Sequence, residues 1–273
     1  MESFQILLPS PALAPYVRHY WLLETDSPIE NTERIIPTGN VQMLFYRGNP
    51  ILLSSSHDSR RVNSQSILCG QYVGYSELSF SGTIRILAVV FHTHSVSAFF
   101  RMPVSEFCNQ KVSADELGDR ELQELEDRIL HEADDRNCFC LIEHFLLSRL
   151  NPPEEHNLER MFSAIRTINR RGGEVRISDL ASSVYLSTKQ FQRIFTGHVG
   201  ISPKEFLRIV RFQHALYVLQ STPDISFSQL AYECGFYDQP HLINEFKVFS
   251  GYTPKEYLGV CAPYSDYFSQ ENG

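Results

Sequence analysis

The sequence writes one octet twice: GISPKEFL from Gly200 to Leu207, and GYTPKEYL from Gly251 to Leu258, 51 positions later. Aligned backwards from these octets, the likeness continues. ISDLASSVYLSTKQFQRIF (Ile177 to Phe195) precedes the first copy and FSQLAYECGFYDQPHLINEF (Phe227 to Phe246) the second. Leu180-Ala181 matches Leu230-Ala231 at an offset of 50, and Phe195 matches Phe246 at an offset of 51. One residue is therefore inserted in the second turn. A unit of roughly 30 residues is duplicated, so the fold must build the same supersecondary element twice.

Each unit reads as two short helices. Ser178 can cap a helix over Asp179–Val184, with Leu180 and Val184 facing a core. Tyr185-Leu186 makes a turn. Ser187 and Gln190 fit a capping box, in which the serine accepts from the Gln190 amide and the glutamine side chain reaches back to the Ser187 amide. The helix that follows should run to about His198, with Phe191, Ile194 and Phe195 inward and Lys189, Gln192, Arg193 and Thr196 outward. In the second unit Ser226 and Gln229 form another box, Gly235 eases the turn and Asp238 caps the second helix. Leu242, Phe246 and Phe249 face inward; Gln239, His241, Asn244 and Lys247 face outward.

Two short helices with a tight turn and a donor-rich second helix describe a helix-turn-helix. Arg, Lys, Gln and Asn on such a helix can pair with base edges in the major groove of double-stranded DNA. The alternative is a pair of ordinary helical hairpins, and the duplication with its polar face in register weighs against it. Ser202, Pro203 and Glu205 open a connecting helix that should reach about Gln220. That is ~17 residues and ~25 Å, against ~34 Å between successive major-groove faces.

The whole-chain charge of −8 argues against a nucleic-acid partner until its distribution is considered. Residues 1–153 hold 12 Lys/Arg against 19 Asp/Glu, whereas residues 154–260 hold 12 against 11. The acidity belongs to the front. Six cysteines form no zinc-ribbon spacing, and no secretory signal precedes them, so reduced thiols and a cytoplasmic location are expected. The strongest apolar run, Ile86 to Phe91, is far shorter than the ~20 residues of a membrane span.

Residues 1–92 carry short β-type runs between turn residues: Phe4–Leu8, His19–Glu24, Val41–Arg47, Ile51–Ser54, Ile67–Gly70 and Ile84–Phe91. These suggest a small barrel or sandwich. Helical patterns follow at Ser95–Arg101, Leu117–Ala133 and Phe139–Leu150, and the last two could cover the barrel or form a dimer face. Asn151-Pro-Pro-Glu-Glu is the best linker. The expected class is thus α+β. It has a front domain at 1–150 for effector sensing or dimerisation, a linker at 151–156, an all-α domain at 157–260 and a tail at 261–273.

Residues 157–260 resemble the tandem helix-turn-helix domain of AraC-type (AraC/XylS) transcriptional regulators. The resemblance rests on IxxLAxxxxLSxxxFxRxF, on GISPKEFL, on RxxxAxxxL at Arg211, Ala215 and Leu219, then on LAxxCGFxDQxHxxxEFK and GYTPKEYL. The front half, through LAPYVRHYW (Leu13–Trp21) and IIPTGNVQMLFY (Ile35–Tyr46), resembles a subset of that family. The resemblance implies that Lys189, Gln192 and Arg193 reach bases or phosphates from the first recognition helix, and Gln239, His241 and Asn244 from the second. Ser187, Thr188 and Asp238 would lie near the DNA backbone, with Thr196 and Lys247 on the same faces. It also implies a small-molecule effector, RNA polymerase as a partner and a homodimer, with action as an activator or a repressor left open. Pro240, Asn244 and Glu245 depart from the family pattern, so looser docking of the second unit is expected. With a domain charge near zero, tight binding is expected to need two protomers on two half-sites.

Other chemistry has less support. His92 and His94 follow a strand at i, i+2, as metal ligands in a barrel could, but no third ligand follows at a recognisable spacing. The sequence lacks GxxxxGK(S/T), GxGxxG, GxSxG and HExxH, so no catalytic residue, metal ligand or cofactor is assigned. Cys138 and Cys140 read as buried helix cysteines rather than oxidant sensors. Tyr20, Trp21, Phe45, Tyr46 and Tyr72 fit either a ligand pocket or a barrel core. A metal-dependent barrel enzyme or ligand-binding protein with an accessory helical half is the alternative, and a protein-binding scaffold a third.

Overall fold

In the computed structural model, residues 3–48, 51–55, 58–62, 65–151, 155–222 and 224–260 are described. The front domain is an antiparallel sheet of β1 (Ser3–Leu7), β2 (Val17–Ile35), β3 (Gln42–Gly48), β4 (Ile51–Ser55), β5 (Asp58–Val62), β6 (Ser66–Cys69), β7 (Ser76–Phe91) and β8 (Lys111–Ser113). The strand order is β1-β2-β7-β3-β6-β8. Strand β7 organises it. One edge pairs with β2 along its length. The other edge pairs with β4 over its first half and β3 over its second.

Side chains alternate across this sheet, and both faces are buried. Leu87, Val89 and Phe91 join Tyr20, Leu22, Met43 and Phe45 on one face. Ile84, Ile86, Ala88 and Val90 join Trp21, Leu23, Leu44 and Tyr46 on the other. This is why Ile86–Phe91 reads as an uninterrupted apolar run. The first face is covered by α2 (Arg120–His131) and α3 (Asp135–Arg149), reached through the one-turn α1 (Ala114–Leu117). The expected i, i+3, i+7 set Leu122, Leu125 and Ile129 is the buried stripe of α2. Arg149 ties the end of α3 to the start of α2 through Asp119 and Glu121.

The sheet differs from the sequence expectation at β5, β8 and the first half of β7, which were not expected as strands. DSRRV in β5 carries no apolar alternation and is held by its hairpin with β4, whereas β8 and the first half of β7 are defined by partners distant in sequence. The expected helix at Ser95–Arg101 is only a 3-10 turn at Val96–Ala98. The helix expected from Leu117 starts at Arg120, because Gly118 ends α1 in the left-handed conformation and Asp119 caps anew.

The rear domain contains α4 (Glu155–Arg170), α5 (Ile177–Ser183), α6 (Thr188–Val199), α7 (Pro203–Ser221), α8 (Phe227–Glu233), α9 (Gln239–Ser250) and α10 (Pro254–Val260). Of the expected linker, residues 152–154 lie outside the described residues, as does the expected tail at 261–273. Phenylalanines form the spine of the core: Phe191 on Phe195, Phe195 on Phe206, and Phe212 on Phe246 and Phe249, with ring centroids 5.1–5.6 Å apart. Ile36 of the sheet domain is part of the same core, and Val73 and Cys108 pack against it. No helix among the described residues is long and apolar enough to cross a membrane.

Candidate nucleic-acid interface

The first unit is α5, a turn and α6; the second is α8, a turn and α9. Ser187 accepts from the Gln190 amide while Gln190 Oε1 accepts from the Ser187 amide, completing the expected box. Ser226 and Gln229 form the same pair ahead of α8, and Asp238 Oδ1 accepts from the His241 amide at the start of α9. Ser202 and Glu205 start α7 with Pro203 in the first turn. Gly200 and Gly251 end α6 and α9 in the left-handed conformation. The expected cap at Ser178 is absent: α5 starts two residues earlier, at Ile177, with Arg176 at the N-cap and no side-chain bond to a free amide.

The predicted recognition residues lie outside the core. Ser187, Thr188, Lys189, Gln192 and Arg193 are exposed, and Thr196 is half-buried. Among the described residues, Lys189, Gln192 and Arg193 have no hydrogen-bond or ion-pair partner, so α6 presents three unspent donor side chains on one face. Helix α9 is different. Asp238, Asn244 and Lys247 are exposed, but Gln239 and His241 are half-buried and engaged. Ser228 Oγ donates to Gln239 Oε1 at 2.8 Å, and the Tyr237 amide donates to His241 Nδ1 at 3.2 Å. The His241 ring also meets the Phe236 edge. Gln239 is thus held in one orientation by Ser228, whereas Gln192 is not. Sequence spacing put these residues on one face but carried no sign of that difference.

Glu245, which as an acidic neighbour of Asn244 counted against groove binding, faces inward. It is 8% exposed and accepts from Arg208 Nε and Nη2 at 2.9 and 2.7 Å. The two carboxylate oxygens meet the two nitrogens of one guanidinium edge, a geometry specific to arginine. This pair joins α7 to α9, and so fixes α9 to the connecting helix. Its hydrogen bonds to Glu245 hold the Arg208 pKa above the usual guanidinium value.

His92 and His94 serve packing. His92 Nε2 lies 3.2 Å from Ala14 O. His94 is buried with its ring against His92 and against Phe162 of α4. Among the described residues no three His, Cys, Asp or Glu side chains converge as metal ligands. The five sequence-selected aromatics divide. Tyr20 and Phe45 lie in the helix-covered core, while Trp21, Tyr46 and Tyr72 line a cavity of about 120 Å3 on the other face of the sheet.

Two helix-turn-helix units in tandem, joined by one 19-residue helix and backed by an antiparallel sheet domain, define the class. Comparison with known families agrees. Residues 180–259 match a family described as a helix-turn-helix domain, and residues 5–113 match a domain of unknown function, DUF6597. The Msm operon regulatory protein of Streptococcus mutans is 27% identical over 118 residues, covering 43% of this chain and 42% of that protein. The transcriptional activator RhaS of an Enterobacter species is 31% identical over 83 residues, 30% of each chain. Among solved structures, ToxT of Vibrio cholerae aligns over 96% of this chain and 99% of its own at 12% identity and a TM-score of 0.48. The chain spans less than half the length of these two sequence relatives. The helical domain is thus a helix-turn-helix domain, similar to those of transcriptional regulators.

Proposed function

We propose that this chain is a sequence-specific DNA-binding regulator of transcription that reads two adjacent major grooves with α6 and α9. The observation that carries the reading is the exposed, unpartnered set Lys189, Gln192 and Arg193 on α6, with Asn244 exposed on α9 at the position of Arg193 and Gln239 and His241 near the start of that helix. Thr196 and Lys247 extend the two faces. Ser187, Thr188 and Asp238, at the helix starts, sit where a phosphate would meet free amides. Helix α7 of 19 residues is ~28 Å long, which suits two helices entering successive grooves on one side of a duplex. The near-balanced charge of residues 154–260 supports occupation of two half-sites by two protomers.

The sheet domain is the regulatory half in this reading and takes a small-molecule effector. Its support is the cavity bounded by Trp21, Leu44, Tyr46 and Ile86. The test of DNA reading is a titration of the full chain on DNA from its own upstream region at several salt concentrations. Specific binding that weakens with salt is expected, with Arg193→Ala costing ~1–3 kcal/mol and relaxing specificity at one position. Affinity unchanged in Arg193→Ala would remove α6 from the groove.

A further inference from the structure

Residues 35–40 separate the cavity from the helical domain and are gripped from both sides. On the cavity side, Ile35, Ile36, Pro37, Thr38 and Asn40 form one wall. Gly39 O accepts from Gln71 Nε2 at 2.7 Å and from Thr93 Oγ1 at 2.9 Å, both in the sheet domain, and Gln71 also lines the cavity. On the helical side, Pro37 O accepts from Gln213 Nε2 of α7 at 2.6 Å, and Ile36 is buried in the helical core. Gly39 has φ +78°, and a Cβ there would stand 3.0 Å from the Phe206 ring. A side chain would thus be both strained and crowded against α7. Just before this strap, Arg34 reaches α9: Nη1 donates to Ser250 O at 3.4 Å, and the guanidinium lies 4.0 Å from the centre of the Tyr252 ring.

Gln213 is the point of contact that most needs explaining. It is 3% exposed, and its Oε1 has no hydrogen-bond partner among the described residues. A half-satisfied buried amide is costly, and its one bond is to the strap. A small displacement of residues 36–38 therefore either breaks that bond or lets the amide re-pair. Packed interfaces respond to such displacements by switching arrangement rather than deforming smoothly.

We propose that the cavity binds a small, uncharged, apolar molecule, and that the strap at residues 35–40 transmits its occupancy through Gln213 to α7. The consequence is a change in the relative placement of α6 and α9. This rests on the DNA-binding reading above. The ligand class follows from size and charge. An apolar cavity of roughly 150 Å3 takes one benzene, and this one is about 120 Å3. Its two bordering cations are engaged, Arg34 by Glu77 and Tyr252, and Lys111 by the Tyr72 ring. One ring or a compact alicyclic group fits, with at most one polar substituent facing Asn40, Gln42 or Gln71.

Trp21 is the single tryptophan of the chain and lines the cavity, so its emission reports occupancy directly. The experiment titrates toluene into the full-length chain, following Trp21 emission and, in parallel, affinity for its DNA site. A saturable emission change is expected, accompanied over the same concentration range by at least a fivefold or so change in DNA affinity. Gln213→Leu, of similar volume, keeps the emission change and loses the response of DNA affinity. Leu44→Phe fills the cavity and loses both. An emission change in the wild type with unaltered DNA affinity overturns the inference, as does a Gln213→Leu chain that still responds fully or the lack of any saturable emission change. A chain that binds no DNA with or without toluene overturns the DNA-binding reading and this inference together. Binding that ignores occupancy overturns this inference alone.

Discussion

Tyr185 and Gly235 stand at the same point of the two units, one residue past the C-caps Val184 and Cys234, with φ of +58° and +67°. The backbone demands a left-handed residue there, and only the second unit supplies glycine. For a non-glycine residue that conformation costs ~1–2 kcal/mol, and Tyr185 at 91% exposure recovers none of it by burial. Gly235→Ala is expected to destabilise the chain by ~1–2 kcal/mol, more if Glu174, 3.0 Å from the added Cβ, cannot move. Tyr185→Gly should be neutral or stabilising by up to ~1 kcal/mol, since the strain relieved outweighs the entropy glycine adds to the unfolded chain. Denaturant titration of both variants checks this, and a marked loss in Tyr185→Gly would contradict it. Glu245 teaches the opposite lesson. Its neighbours in sequence gave it an outward place, and only Arg208, 37 positions away, explains why it is buried. Glu245→Ala should cost ~1–3 kcal/mol, by leaving Arg208 half-buried without its partner. A gain in DNA affinity from that change would restore the view that Glu245 repels the backbone.

Elements whose signals lie within four residues could be read from the sequence. The capping boxes at Ser187, Ser202 and Ser226, the stop glycines and the inward phenylalanines all occupy the positions that local chemistry assigns. Elements defined by distant partners could not. Strand β8 exists because Lys111–Ser113 pairs with β6, and the strap at 35–40 matters because Pro37 meets Gln213, 176 positions away. The same distinction governs mutational cost. Ser187→Ala and Ser202→Ala should each cost ~1 kcal/mol by freeing helix amides. Ser178→Ala should stay within ~0.5 kcal/mol, because among the described residues its hydroxyl bonds to Asp179 and caps no helix amide. Thermal or denaturant unfolding of the three variants separates these cases, and a Ser178→Ala loss equal to the others would mean that α5 starts at Ser178 after all.

At the scale of the whole molecule, two domains that the sequence separates at a proline pair share a core. One contact between them should be visible in solution as pH dependence. His94 is 4% exposed, with His92 beside it, Phe162 of α4 against its ring and His198 of α6 nearby. Burial, then the His92 and His198 imidazoles, hold its pKa down at about 4. An unfolded histidine titrates near ~6.5, so between these values the unfolded chain binds the extra proton. The contribution of His94 to stability is therefore complete above pH ~6.5 and is lost as pH falls toward about 4, on the order of 3 kcal/mol. The stability of His94→Phe, measured between pH 7 and 4.5, should fall less steeply than that of the wild type. Equal slopes would contradict the burial of a neutral imidazole. Reading of successive major grooves by α6 and α9 would leave its mark in guanine N7 methylation interference on a bound DNA site. For each protomer, two clusters of interfering guanines are expected about one helical turn, ~10 base pairs, apart on one face of the duplex. Two clusters that disappear selectively, the first with Arg193→Ala and the second with Asn244→Ala, would assign each helix to its groove. A single cluster per protomer, or two clusters that neither substitution alters, would contradict it.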